Sequence, residues 1–553
     1  MPPPLPLITV VAALSTLLFV QTRQDAWTHA LAIQMFAIIY GALLGAWSFY
    51  TIFIYPFFVS PYRHLPQPPG GDWLFGHTRR AIGDGLGTTA RKWMETIPND
   101  GLIRVRWAFN REMLLVTTPQ VLSEVLVAKS YEFEKPQFLR DTLGPIIGHG
   151  LVLAEGDAHR VQRRNLMPAF AFRHIKDLYP LFWRKSREVV RVMTAGCGAS
   201  GVLEMEVGAW ASRCTLDVIG TAGLGKDFDA IHDEHNELVD TYMTLSHPSR
   251  TDRLLMVLAE ITGHFIPVEP LMNYVLLPRV REVLRSAKIV RDVCRDVIHA
   301  KKQKLDKGKL DDVDIVSVAL KSGVFAETEL IDQMMTFLGA GHETTGSALT
   351  WAIYAMARFP DMQNRLRDEI RSNLPSVDEE TDISSADIDK LPYLNAVCSE
   401  VLRMYSPVPQ TLRQAVRDTV IQDTPIHKGT YLILAAWGTN VNTKLWGADA
   451  GDFKPERWLS VNDGGTHSVK DASAGGASSN YALLTFLHGP RSCIGQAFSK
   501  AEFACLLAAW IGRFHFVLQD EALMDESKMV FEQLVTVKAT NGLYVRASIV
   551  PGY

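Results

Sequence analysis

Cys493 lies in the run Phe486-Leu-His-Gly-Pro-Arg-Ser-Cys-Ile-Gly495, which reads F-x-x-G-x-R-x-C-x-G. A single cysteine thiolate can hold haem iron, pushing electron density towards oxygen and favouring O–O cleavage. The neighbours suit that chemistry. Gly489 and Gly495 carry no Cβ, so the backbone can turn sharply and lie close to a flat macrocycle. Pro490 stiffens the turn. Arg491 offers a guanidinium to a carboxylate. Apolar periodicity over Gly495–Trp510 predicts a buried helix, with Cys493 near its positive end, where a thiol pKa should fall. The bland alternative is an inert buried cysteine before a core helix. Five fixed letters in ten positions favour the ligand.

The run resembles the haem-binding loop of the cytochrome P450 monooxygenases. That resemblance implies that Cys493 is the axial ligand of a haem b iron. It also makes Phe486, Gly489, Arg491 and Gly495 parts of the haem-binding loop.

A second stretch, Ala340-Gly-His-Glu-Thr-Thr345, falls inside a helical pattern about thirty residues long. Gly339 and Gly341 each cost a helix about 1 kcal/mol relative to alanine. The Thr344 hydroxyl can bond a carbonyl one turn back and bend the helix, opening a pocket for oxygen and water. A packing notch against another helix is the competing reading. In the family this is the oxygen-binding groove. The resemblance implies that Thr344 holds water and protons there, that Glu343 relays them, and that Ala340 and Gly341 border the haem. Thr336, one turn earlier, shares the pocket. His342 is tempting as an iron ligand, but Glu343 and Thr344 claim the relevant face, so His342 reads as structural.

A third element is Glu400-x-x-Arg403, whose spacing places both charges on one helix face. Alone it means a surface ion pair of little worth. Downstream stands Phe453-Lys-Pro-Glu-Arg-Trp458, similar to a family element whose arginine completes a buried Glu–Arg–Arg cluster. The resemblance gives Glu400, Arg403 and Arg457 that structural role. It also makes Arg413 a partner of a haem propionate, with Val408 to Leu412 on the substrate side. The fourth stretch, Glu155 to Phe170, departs from the family's W-[KR]-x-x-R-R. His159 stands at the tryptophan position and Arg163 at the arginine position. Both are implied propionate contacts, since an imidazole N–H can serve a carboxylate. A basic surface helix is the alternative.

The elements that must position these residues are mostly helical. Periodicity predicts helices over Thr118–Val127, His159–Arg164 onward, Ile175–Met193, Val280–Lys304, Glu329–Phe359, Pro360–Asn373, Tyr393–Tyr405 and Gln496–Phe514. Strand-like runs are short: Ile103–Trp107 with Met113–Thr117, Thr419–Gln422, Tyr431–Ala435 and Gly542–Val550. Lys301 to Asp312 reads as a charged loop. Asn462 to Asn480, rich in Gly, Ser and Ala, reads as a flexible surface insertion.

The 553 residues carry a net charge of −4 and six scattered cysteines. That balance gives no case for nucleic-acid binding. No C-x-x-C or C-x-x-C-H occurs, which argues against zinc ribbons, thioredoxin-type sites and covalent haem attachment. Leu5–Val20 is apolar, and Leu31–Val59 contains no charge, long enough to span a bilayer. Residues 1–59 are therefore expected to be a membrane anchor of one or two spans, 60–71 a proline-rich hinge, and 72–553 the catalytic domain. Arg63, His64, Arg79 and Arg80 follow the anchor and place the large domain in the cytosol.

The resemblance implies a mainly α (α+β) fold, a single triangular helical domain with small β-sheets behind a transmembrane anchor. It implies monooxygenation, one atom of O2 entering a C–H or C=C of a lipophilic small molecule in fungal secondary metabolism. Ile146, Ile147, Leu534 and Val535 fall where the family contacts substrate, and a terpenoid, polyketide or fatty acid would suit them. Nothing in the chain resembles a flavin or iron–sulfur module. Electrons are thus expected from NADPH through cytochrome P450 reductase, with cytochrome b5 as a further donor, at the endoplasmic reticulum membrane. Two other readings stay open: a reductase-independent haem-thiolate isomerase or dehydratase, and a non-catalytic haem-binding membrane protein. The acid–alcohol pair Glu343–Thr344 speaks against both.

Overall fold

Two apolar helices open the chain in the computed structural model, which describes residues 5–22, 29–233, 236–246, 278–308, 314–461, 467–468, 475–533 and 535–553. Helix α1 is Leu5–Thr22 and α2 is His29–Phe49. The second continues as a wider-wound π-helical stretch, Tyr50–Val59. Among the described residues only His29–Val59, 31 residues together, is long and apolar enough to cross a membrane by itself; α1 falls just short.

The end of this long helix is not a free tether. The Arg104 guanidinium, paired to Glu112 at 2.6 Å, also donates to the Pro56 carbonyl. Asn110 Nδ2 donates to the Ile52 carbonyl at 3.1 Å, and Phe53 stacks on Trp73. Nor is the proline-rich hinge a free-standing spacer. Tyr62 is buried, with its hydroxyl 2.9 Å from Thr430 Oγ1, and the Pro66 carbonyl accepts from Arg104 N at 2.8 Å. Cutting before residue 60 therefore takes the Pro56 acceptor from Arg104 and leaves Asn110 with the Trp73 carbonyl alone, and a buried donor left unpaired costs about 1–3 kcal/mol. A form beginning at residue 49 is expected to melt higher than one beginning at residue 60, as thermal unfolding of the two would show.

The helices that build the site are α3 (Gln137–Ile147), α4 (Gly156–Leu166), α5 (Tyr179–Gly196), α6 (Val207–Val218), α7 (Pro278–Asp306), α8 (Glu327–Arg358), α9 (Pro392–Met404) and α10 (Gln496–Arg513). Helix α8 is apolar nearly all round and is accordingly the central helix. It packs against α3, α6, α7, α9 and α10. Glu327 and Glu329 sit in its first turn and Arg358 in its last, complementing the helix dipole. It stops at Phe359, because the following Pro360 restricts the residue before it and starts a new helix, Pro360–Asn373.

Of the fourteen strands among the described residues, ten bear on the site: β1 (Leu102–Arg106), β2 (Glu112–Val116), β3 (Phe133–Glu134), β4 (Val202–Glu206), β5 (Thr411–Ala415), β6 (Tyr431–Leu434), β7 (Phe514–Leu518), β8 (Phe531–Gln533), β9 (Val537–Ala539) and β10 (Tyr544–Ile549). The largest sheet has the order β1-β2-β6-β5-β3, antiparallel except for β2 beside β6. A second has the order β7-β10-β4, and β8 pairs with β9 in a hairpin.

Several expectations need correction. Helix α8 runs unbroken for 32 residues through Gly339 and Gly341. A Cβ on Gly341 would meet Ile219 at 2.8 Å, and one on Gly339 would meet Ile147 at 3.0 Å. These glycines let neighbouring elements approach; the packing-notch reading holds and the break does not. The predicted helix over Ile175–Met193 is divided at Asp177, between Phe172–Lys176 and α5. The expected loop at Lys301–Asp312 is helical to Asp306, and Lys301 is buried on Asp314 at 2.6 Å; positions 309–312 lie outside the described residues. Most of the 462–480 insertion lies outside them too. Helices α3 and α6 and strands β3, β4, β5, β7, β8 and β9 were not read from periodicity, most being too short or buried on all sides.

Candidate active site

Cys493 Sγ borders a cavity of about 430 Å³, with the cysteine loop on one side and α8 on the other. The loop is pinned by its own backbone: Cys493 N donates to the Phe486 carbonyl at 2.9 Å, and half-buried Phe486 packs on the core. Gly489 has φ +75°, and a Cβ there would collide with the Leu126 carbonyl. Glycine at this position thus serves the loop's approach to 119–128, and Gly489 is not among the residues bordering the cavity. Gly495 borders it with an ordinary φ of −83° and caps α10. The expected fall in the thiol pKa does not occur in the protein alone. Burial pushes the Cys493 thiol up, against the Gly495 N–H and the Arg163 charge that pull it down. A dipole effect of under about 1 kcal/mol does not offset that desolvation.

A ring of cations closes one end of the cavity. Lys135, Arg163, Arg413 and Arg491 border it together with His159. Among the described residues, Glu155 is the carboxylate that pairs with this ring. It accepts from Lys135 N at 2.9 Å, faces Lys135 Nζ at 3.7 Å, and pairs with Arg491. Arg491 also donates to the Ser130 and Phe133 carbonyls, while its Nε has no partner. Arg163 donates to the Ser492 carbonyl at 2.5 Å, tying α4 to the cysteine loop. Arg413 is buried on β5, with Thr411 Oγ1 at 3.2 Å. His159 is buried rather than on a basic surface, 3.2 Å from the Tyr131 hydroxyl. Burial and then neighbouring positive charge depress these groups: Lys135 to about 7, His159 to about 4 and Arg413 to about 10. Such a surplus of buried cations suits a ligand carrying two carboxylates beside the thiol, which is what haem offers. Lys135, Glu155 and Tyr131 were missed as site residues in the sequence; Lys135 stands in no motif quoted there.

On the opposite wall, Ala340, Gly341, Glu343 and Thr344 all border the cavity. The Thr344 hydroxyl donates to the Ala340 carbonyl at 2.9 Å, as its position predicts. Glu343 Oε1 accepts from Thr536 Oγ1 at 2.8 Å and lies 3.4 Å from Lys538 Nζ. His342 is turned into the core, with Nδ1 2.7 Å from the Leu338 carbonyl, and burial lowers its pKa. Thr336 borders the cavity while donating to the Ile147 carbonyl. Of the expected substrate side, Val408, Gln410, Thr411, Ile146, Ile147 and Val535 border the cavity. Leu412 turns to another cluster, and Leu534 lies outside the described residues.

The structural cluster is assembled too. Arg403 meets both Glu400 oxygens, at 2.8 and 2.7 Å, and Arg457 Nε reaches Glu400 Oε1 at 3.0 Å.

A family model described as Cytochrome P450 matches residues 66–543. The chain belongs to the cytochrome P450 family. Similar curated proteins are Cytochrome P450 monooxygenase sphH of Aspergillus fumigatus, 41% identical with 96% of each chain covered. FUM15 of Gibberella moniliformis is 40% identical with 90% of each covered, and ALT8 of Alternaria alternata is 36% identical over 92% of this chain and 93% of that one. This P450 is thus an oxidoreductase of the monooxygenase class, and the family implies a haem cofactor and iron binding.

The cation ring makes a quantitative expectation for this P450. Lys135 sits near 7 when folded without a carboxylate ligand, against about 10.5 ordinarily. Above pH 7 it is therefore mostly neutral in the empty protein. Placing a carboxylate beside it restores the charge, so Lys135 should take up a proton on haem loading between pH 7 and about 10. A Cys493 thiol pushed up by burial must shed one to become a thiolate ligand, so the two offset each other and the haem affinity of the apoprotein is expected to be nearly flat across that window. Lys135→Met should leave the thiol's release alone, so that affinity rises with pH by up to about tenfold per unit, which haem titration across pH would reveal.

Proposed function

We propose that this P450 holds haem b through the Cys493 thiolate and oxygenates a lipophilic small molecule of fungal secondary metabolism. The observation that carries the reading is the ring of half-buried Lys135 and Arg163 and buried Arg413 and Arg491, with Glu155 paired into it, beside Cys493 at the cavity. Haem, when bound, supplies the oxygen-activating chemistry. The overall balance is RH + O2 + 2 e⁻ + 2 H⁺ → ROH + H2O, or the corresponding epoxide from C=C.

The protein's own part is positioning and proton handling. Arg163, Arg413, Lys135 and His159 would receive the two carboxylates of haem. His159, neutral at working pH, donates an N–H. Thr344 offers its oxygen as an acceptor while its own proton rests on the Ala340 carbonyl, and Glu343 next to it is the nearest carboxyl on that wall. Leu143, Ile146, Val152 and Val535 make an apolar chamber, which supports a lipophilic substrate. Electrons come from NADPH through the reductase, with cytochrome b5 as a second donor, at the endoplasmic reticulum surface with the domain in the cytosol. Arg160, Arg164 and Lys500, all exposed, are the candidate docking cations.

The test is reconstitution with reductase and NADPH. Product bearing one atom from labelled O2, formed only with reductase present, supports the reading. Turnover of an oxygenated substrate without NADPH would instead identify an isomerase or dehydratase, and haem binding without any turnover a non-catalytic protein.

A further inference from the structure

Three residues of α8, one turn apart, hold the β8–β9 hairpin. Ser347 Oγ and Trp351 Nε1 both donate to the Val537 carbonyl, at 3.0 and 3.2 Å. One turn earlier, Glu343 Oε1 takes the Thr536 hydroxyl at 2.8 Å and the Lys538 ammonium at 3.4 Å. The spacing i, i+4, i+8 puts all three on one helix face. Further ties are Val537 N to the Pro407 carbonyl at 3.0 Å, Gly87 N to Gln533 Oε1 at 2.8 Å, and the Phe531 ring against Trp351 and Trp437. Its strands pair Glu532 opposite Lys538. Val535, Thr536 and Lys538 also border the substrate cavity. One short segment thus touches the space a substrate fills and grips the carboxylate beside Thr344.

We infer that Thr536 and Lys538 are positioning residues for Glu343, and that a substrate lying against the hairpin governs when that carboxyl can serve Thr344. The inference rests on the monooxygenase reading above. Both donors reach the same oxygen, Oε1. With Thr536 and Lys538 engaged, the carboxylate is drawn towards the hairpin, while the Thr344 hydroxyl donates to the Ala340 carbonyl. Displacing the tip by a bound apolar body loosens the Thr536 bond, and rotation about the Glu343 side chain then brings a carboxyl oxygen to Thr344. The freed carboxylate takes a proton from water and passes it to the Thr344 oxygen as Thr344 gives its own hydroxyl proton to water in the cavity, and Glu343 is left a carboxylate again. Lys538 makes the return favourable, because an ammonium at this distance attracts the emptied carboxylate. Proton supply is in this way tied to occupancy, which suppresses the wasteful reduction of oxygen to peroxide when the chamber is empty.

The experiment uses full-length holoenzyme with reductase, with dodecanoic acid as lipophilic probe, comparing wild type with Thr536→Val, Lys538→Met and Lys538→Arg. Peroxide formed per NADPH is measured with and without the probe, together with the solvent deuterium effect on NADPH oxidation. Amide exchange of 535–539 in the resting protein, with and without the probe, gives a readout independent of turnover. Expected are faster exchange of 535–539 on adding the probe to wild type, and faster basal exchange in Thr536→Val and Lys538→Met. Peroxide per NADPH should rise about threefold or more in Lys538→Met, and Lys538→Arg should return both readouts to near wild type. Wild-type exchange and wild-type peroxide yield in both Thr536→Val and Lys538→Met would overturn the inference. So would a Lys538→Arg enzyme as impaired as Lys538→Met, since the charge would then be irrelevant. Wild type that consumes no NADPH with reductase fails the monooxygenase reading itself, a result distinct from either.

Discussion

Cys493→Ser is expected to lose the red-shifted Soret band of the reduced, CO-bound protein and all measurable monooxygenation. A serine hydroxyl stays protonated where even the thiol is pushed up by burial, so no anionic ligand remains to favour O–O cleavage. The fold should survive, because Sγ borders the cavity rather than filling a packed core, and the loop is held by the Phe486 carbonyl and by Arg163 on Ser492. Cys505→Ala is the matched control. Cys505 is fully buried in α10, with its thiol pushed up by burial, and does not border the cavity. That variant should keep the spectrum at a modest cost in stability. A thiolate spectrum in Cys493→Ser, or its loss in Cys505→Ala, would overturn the ligand assignment.

Arg403→Ala is expected to be the most damaging single change to the fold. The guanidinium is fully buried and makes five hydrogen bonds: two to Glu400 and one each to the carbonyls of Asn440, Ala450 and Asp452. Removing it leaves Glu400 in the core with Arg457, Trp458 Nε1 and Lys454 N as its remaining donors. It also takes the donor from the carbonyls of buried Asn440 and Ala450. Breaking one side of a buried pair costs about 3–5 kcal/mol, a large share of the roughly 5–15 kcal/mol that holds a domain. Soluble haem-loaded yield and the thermal midpoint are the measurements. Arg457→Ala should be milder, since Glu400 keeps both Arg403 bonds. An Arg403→Ala protein that melts with wild type would mean that the segment 440–458 is held by its packing alone.

Chemistry written in contiguous residues was legible in the chain. The cysteine loop, the Glu400–Arg403 pair with Arg457, and the Glu343–Thr344 pair were all found where the structure assembles them. Helices with clear stops were equally plain: Pro360–Asn373 has the boundaries predicted, because proline opens it and the apolar stripe closes it. The long apolar run to Val59 could be recognised from composition alone. Each is a local signal, in which neighbours along the chain suffice to express the physics.

What only the tertiary structure decided is which distant side chains share one space. Lys135 reaches the cation ring, 358 residues from Cys493, because β3 and α4 bring it beside Glu155, and nothing around it in the chain announces a ligand. Whether Cys493 titrates low or high depended on burial against a weak dipole, and burial is a property of the assembled fold. Gly341 looked like a helix breaker and proved to be the seat of Ile219, since the cost of glycine is offset by contact with a neighbour the sequence does not adjoin. Glu343 was expected to relay protons, yet its grip by Thr536 and Lys538 came from a hairpin nearly two hundred residues away. Local patterning determines the elements and their chemistry; long-range packing, which fixes side-chain direction and the company a charge keeps, determines what that chemistry can do.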